Sequence, residues 1–131
     1  MQGKTIKFAV PLCPITKKNH QRILKNAKTG KSFIAQSKQY KDYEAQALWF
    51  IPKNHHIDYP VNVKSLFYMP TRRRCDLTGL HQAIDDIMVR AGLLRDDNYT
   101  IVAGHDGSRV LYDKDNPRTE ITITPMEETY G

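Results

Sequence analysis

The feature that most restricts this chain is an apolar stripe bounded by Asp76 and Gly92. Leu77, Leu80, Ala83, Ile84, Ile87, Met88 and Ala91 recur at the three- and four-residue spacing that sets them on one face of an α-helix. Asp76 carries a carboxylate able to accept from the free N–H groups of a first turn, and Gly92 stands where a chain leaves a helix. The pattern predicts a helix over residues 77–91. Its apolar face must be covered, and the alternations elsewhere supply the cover. Ile6, Phe8 and Val10 alternate with Thr5, Lys7 and Ala9, which predicts a strand over 4–10 that Pro11 and Pro14 end. Val61, Val63, Ser65, Phe67 and Met69 alternate with Asn62, Lys64 and Tyr68, giving a strand that stops at Pro70. Tyr40, Tyr43, Ala47, Leu48 and Ile51 predict a helix over about 37–51, closed by Pro52, with Tyr40, Tyr43 and Trp49 as core. Residues 16–37 read as a loop or open hairpin, Tyr99 to Ala103 as strand-like, Asp106-Gly107-Ser108 as a turn, and about 118–124 as the last strand. The resulting order, β-α-β-α-β-β, is an α+β fold with helices packed on a mixed sheet. A length of 131 residues suits one domain, 1–131.

Composition excludes several classes. The longest apolar runs fall far short of the roughly 18 residues of a membrane span, and the start lacks a signal-peptide core, so the cytoplasm is the expected location and no membrane partner is expected. Cys13 and Cys75 sit in no Cys-x-x-Cys pattern, which removes zinc-ribbon and disulfide scaffolds, and the five histidines are scattered and receive no metal role. His55-His56 reads as a surface turn.

Net charge is +6, but it is unevenly placed: residues 1–75 hold fifteen Lys and Arg against three acids, and residues 76–131 hold five against eleven. Six of the cations fall in 17–31 with no anion among them, a composition that favours nucleic acid over a plain solvated loop. Gly30-Lys31-Ser32 resembles the end of a phosphate-binding loop, but Lys25 stands where its first glycine belongs.

The two charge regimes meet at Arg72-Arg73-Arg74-Cys75-Asp76. Arginines bind phosphates that a neighbouring carboxylate repels, and a divalent cation reconciles the two, because Mg²⁺ takes carboxylate oxygens and substrate phosphate together. Asp76 and Asp86 are ten residues apart, about 15 Å of helical rise, too far to share an ion. Five extended residues after Gly92 return about 16 Å against a helix of about 22 Å, so Asp76 and Asp97 can meet within one chain or across a dimer. Asp96 then points the other way. The plainer reading stays open at this level: Asp76 a cap, Asp85 and Asp86 a solvated face, Asp96-Asp97-Asn98 a turn.

Taken together, PLCPITKKNHQR, then RRRCDLTGLHQAIDDIMVRAGLLRDDNYTIV, then the closing TEITIT strand resemble the RusA family of Holliday-junction resolvases over essentially the whole chain, as a divergent prophage-type member, bacterial or phage-encoded. The resemblance implies a homodimeric, Mg²⁺-dependent endodeoxyribonuclease, with Mn²⁺ as a substitute, acting on branched DNA in recombination and repair by two symmetric phosphodiester cuts. It implies Asp76 and Asp97 as metal ligands and Asp86 as a supporting catalytic residue, with Asp96 the other half of the closing pair. Lys17, Lys18, Asn19, Arg22, Arg72, Arg73 and Arg74 would bind DNA. The chain departs from the family pattern at Thr78, where Asp is usual, at Gly79 for Asn, and at Gln82 for Lys. A hydroxyl in place of a charge weakens the hold on a metal, so a junction-binding homologue without activity is the rival expectation, and an RNA-binding or structural module a third.

Overall fold

The alternation along Val61–Met69 becomes the central strand of a sheet. The computed structural model describes residues 4–16, 21–25 and 27–126. Its elements are β1 (Ile6–Val10), β2 (Gln21–Lys25), β3 (Ser32–Gln36), α1 (Lys38–Ala47) with a 3₁₀ turn at Leu48–Phe50, β4 (Val61–Met69), α2 (Leu77–Arg90), β5 (Val102–Gly104), β6 (Arg109–Tyr112) and β7 (Arg118–Pro125). β7 lies antiparallel between β1 and β4, while β5 and β6 both run parallel to β4 on its far edge. β2 and β3 make a separate antiparallel pair. The fold is α+β, with a mixed five-stranded sheet and two helices, as expected. The order of elements differs from the expected one, because the open hairpin of 16–37 forms two strands and β6 adds another. Parallel pairing of β4 with β5 requires a crossover, which α2 supplies.

One face of the sheet is buried: Val61, Val63, Ser65 and Phe67 on β4, with Ile123, Ile121 and Thr119 opposite the last three, and Val10 beside Thr119. Against it pack Leu80, Ala83, Ile84, Ile87 and Met88 of α2 and Tyr40, Tyr43 and Ala47 of α1. Trp49 departs from its expected core position and is 84% exposed. The cause is helix geometry: nine residues at about 100° each set Trp49 roughly opposite Tyr40, away from the buried stripe of Tyr40, Tyr43 and Ala47.

The far edge of β4 is paired in two pieces. Val61 and Asn62 pair with β5, and Leu66 to Met69 with β6, leaving residues 105–108 looped out. Side chains bridge the gap. Asn62 Oδ1 accepts from the Asp106 N–H at 2.7 Å, its Nδ2 donates to the Asp106 carbonyl at 3.1 Å, and the Ser108 hydroxyl accepts from the buried Ser65 N–H at 3.0 Å.

α2 is capped at both ends as its sequence dictates. Asp76 Oδ1 accepts from the Thr78 N–H at 3.1 Å, and Gly92 has φ +81°. A Cβ on Gly92 would stand 3.3 Å from His56 Cε1. Gly92→Ala therefore combines left-handed backbone strain with a tight contact and should cost about 1–2 kcal/mol, read as a lower urea midpoint at unchanged m-value.

Candidate metal centre and nucleic-acid interface

Asp76 and Thr78 are set by the start of α2, and Asp96 and Asp97 by the segment that follows it. Asp76 is the N-cap of α2 and Thr78 lies in its first turn, both exposed. Gly79 allows close packing there: a Cβ on it would meet Thr16 Cγ2 at 3.3 Å. Thr16, the last described residue before the basic stretch, thus lies beside the first turn of α2. Lys17, Lys18 and Asn19 themselves lie outside the described residues, and Arg22 falls on β2.

Arg72, Arg73 and Arg74 are exposed in the connection from β4 to α2. The Arg72 guanidinium lies 4.2 Å over the Tyr112 ring, a cation–π contact that anchors it to β6. Arg73 and Arg74 line an open groove of about 590 Å³ together with Cys13, Thr16, Met69 and Leu80. Arg118 is committed to structure instead: its Nη1 donates to Asp113 at 2.9 Å, its Nε to Glu120 at 2.8 Å, and its guanidinium stacks on Tyr68 at 3.7 Å.

The segment after Gly92 corrects an expectation. Instead of an extended five-residue return, Leu94 bridges to Ile57, and the chain then folds into a turn from Asn98 to Ile101, directly after Asp96-Asp97. Side chains bend it: Asp96 Oδ1 accepts from the Asp97 N–H at 2.7 Å, Asp96 Oδ2 from Asn98 at 3.0 Å, and Asn98 Oδ1 from the Thr100 N–H at 3.0 Å. β5 consequently starts at Val102, later than the strand-like reading of Tyr99 to Ala103.

The charges of four carboxylates bear on one another around this turn. Partial desolvation, the hydrogen bond with Asp96, and the charges of Asp96 and Asp86 raise the Asp97 carboxyl above the usual range. Asp96 is shifted down, chiefly by the Asp97 N–H. Asp85 feels Asp97 as well. Asp86 thus joins the field of Asp97, and Asp76, about 15 Å along α2 from Asp86, sits at the helix N-terminus. Gln82 is exposed on α2.

Sequence reasoning missed a second cluster. Asp85, read as solvated, is 5% exposed, and His81 is 6% exposed. His105 Nε2 lies 2.8 Å from Asp85 Oδ2, and the His81 and His105 rings stack with centroids 3.9 Å apart. A signal was present: His81 and Asp85 are four apart and lie within the apolar stripe, where a polar pair needs a reason. Burial, with the neighbouring His105, lowers the His81 pKa to about 4, while burial above all raises that of Asp85. The sign for His81 is clear. Between about pH 6.5 and 4 the unfolded chain binds a proton at this position that the folded chain refuses, so its contribution to stability is present above that window and lost as pH falls through it. Metal-free protein should lose about 3 kcal/mol from this source between pH 7 and 4, and His81→Phe should flatten that part of the profile in thermal unfolding.

Comparison with known proteins agrees with the geometry. Residues 11–124 match the family described as Endodeoxyribonuclease RusA, and the chain belongs to that family. It is also similar to the crossover junction endodeoxyribonuclease RusA of Aquifex aeolicus (strain VF5), at 32% identity over 60 residues, 44% of this chain and 48% of that protein. The chain thus spans about half the length of the curated relative it matches.

Proposed function

We propose that residues 1–131 form a single structure-specific endodeoxyribonuclease domain that acts as a homodimer and resolves four-way DNA junctions in recombination and repair with Mg²⁺. The observation that carries this reading is the acidic turn after α2, where Asp96 accepts from the Asp97 N–H at 2.7 Å and from Asn98 at 3.0 Å, which holds two adjacent carboxylates together near the charge of Asp86. Like charges held together in this way are what a divalent cation relieves, and an all-oxygen donor set suits a hard ion such as Mg²⁺ or Mn²⁺. Asp97 would hold the ion with Asp86 reinforcing the field around it, and Asp76, about 15 Å along α2 from Asp86, would join it from the other protomer of the dimer. When bound, the metal supplies an activated water and neutralises charge on the scissile phosphate. Arg73 and Arg74 bind flanking phosphates in their groove, Arg72 does so from its seat on Tyr112, and Lys17, Lys18, Asn19 and Arg22 supply further DNA contacts. A two-fold dimer supplies the pair of symmetric cuts that a junction requires.

The test is nicking of a synthetic four-way junction beside a linear duplex of the same sequence. Cleavage of the junction in Mg²⁺ or Mn²⁺, and none in chelator, is expected. Thr78 supports one alternative, a junction binder without catalysis, since it leaves the first turn of α2 without a second carboxylate. That protein would bind the junction in a salt-sensitive manner and release no product with either metal.

A further inference from the structure

His81, Asp85 and His105 form a cluster that the nuclease reading does not use. Each offers one ligand atom, and these atoms all lie within 4.8 Å of one another. His81 and Asp85 project from α2, and His105 begins the loop between β5 and β6. Both nitrogens of His81 and the Oδ1 of Asp85 are buried with no hydrogen-bond partner among the described residues. A neutral imidazole always carries one N–H, so either tautomer of His81 leaves a buried donor unsatisfied as well as an acceptor. The large majority of buried polar atoms in native proteins are paired, and three orphans on two residues of one cluster indicate a missing partner. Water could answer one of them. A cation answers the imidazole nitrogen and the carboxylate oxygen together.

We propose that His81, Asp85 and His105 bind a borderline divalent cation of the Zn²⁺ type, at a site separate from the carboxylates around Asp97. Two imidazoles and one carboxylate are a donor set for Zn²⁺, whereas Mg²⁺ prefers oxygen ligands and retains its waters. The His105 side chain is 37% exposed, so the ion has a route from solvent and a fourth position open to water. The rings now lie 23° from parallel, which suits stacking rather than shared ligation. Binding requires one imidazole to rotate toward the carboxylate, and the exposed His105 is free of core packing on one side. Entry of the ion breaks the hydrogen bond between His105 and Asp85, and the one N–H of a neutral His105 then sits on the ring nitrogen that does not ligate. The bound ion ties the middle of α2 to the loop that interrupts the edge of β4, so its role is to fix that loop. This inference stands independently of the nuclease reading.

The experiment uses the full chain, stripped with chelator and titrated with Co²⁺ or Zn²⁺ in millimolar Mg²⁺. Expected are one Co²⁺ per chain with visible d–d absorption, Zn²⁺ competing for it, Mg²⁺ failing to displace it, and a higher Tm with Zn²⁺. His105→Ala and Asp85→Asn should weaken binding by at least about a hundredfold, and Asp76→Asn should leave it intact. Should either variant unfold, ring-nitrogen NMR of the unaltered protein reads the same site through Zn²⁺-dependent shifts of His81 and His105. Absence of binding, displacement by Mg²⁺, equal affinity in His105→Ala, or unmoved histidine resonances would each overturn the proposal. Junction nicking is read separately, so failure of one assignment is not failure of the other.

Discussion

Asp76→Asn should lower the rate of junction nicking in Mg²⁺ by about a thousandfold or more while leaving the protein as stable as before. The two halves of this expectation separate two roles for one carboxylate. As the N-cap of α2, Asp76 uses Oδ1 to accept from the Thr78 N–H. An asparagine carbonyl does the same, and Asn caps as well as Asp, so stability should change by no more than a few tenths of a kcal/mol. Asn does not carry the charge that holds a divalent ion, and losing several kcal/mol of transition-state charge stabilisation corresponds to at least three powers of ten in rate. If Asp76 were only a cap, Asp76→Asn would cut at the original rate. Asp97→Asn should show the same loss of activity, and it removes one of the mutually repelling charges at the turn, so it should not destabilise the fold. Junction binding at low salt should survive both changes, since the arginines and lysines are untouched.

The largest effect on stability is expected from Phe67→Ala, at about 3–5 kcal/mol in urea unfolding. Phe67 is 1% exposed on the central strand, opposite Thr119 of β7 and beside Val110 of β6, with the His81 ring edge-on at 5.2 Å. Truncation opens a cavity between the sheet and α2 at a point where neither layer can collapse, because β4 is hydrogen-bonded on both edges. A domain of this size has a total stability of about 5–15 kcal/mol, so a loss of that order brings it close to unfolding. Phe67→Leu keeps most of the volume and should cost well under half as much. A small effect of Phe67→Ala would mean that the His81 side of the sheet is already loosely packed.

Several elements could be read from residues alone. β4 runs from Val61 to Met69, the strand its alternation defines, and α2 runs from Leu77 to Arg90 between the Asp76 cap and Gly92. These signals are strong because they are local: a two-residue period, a 3.6-residue period, a capping side chain and a positive-φ glycine each act within a few residues. β6 was not legible, since Arg109–Tyr112 is a four-residue edge strand whose pairing with Leu66–Met69 spans more than forty residues of sequence. Trp49 stands off the stripe even in an ideal helix, since about 100° per residue sets it opposite Tyr40, and only its apolar character suggests a core place.

The same division holds for function. The arginines before Asp76, the acidic pair at Asp96-Asp97 and the charge change between Arg74 and Asp76 are sequence facts, and they point to phosphate and metal chemistry. Which charges share a field was decided by tertiary structure. Asp96 bends its own segment into a turn, Asp97 falls within reach of Asp86 and Asp85, and a helix rotation of about 100° between adjacent residues sends Asp85 inward to His105 and leaves Asp86 at the rim. His81 and His105 are twenty-four residues apart in sequence and were set aside as scattered, yet their rings stack. Periodicity and capping act along the chain and are therefore written in it. The meeting of α2 with the loop after β5 depends on how far the sheet carries one end of the chain toward the other, and only the folded sheet sets that distance.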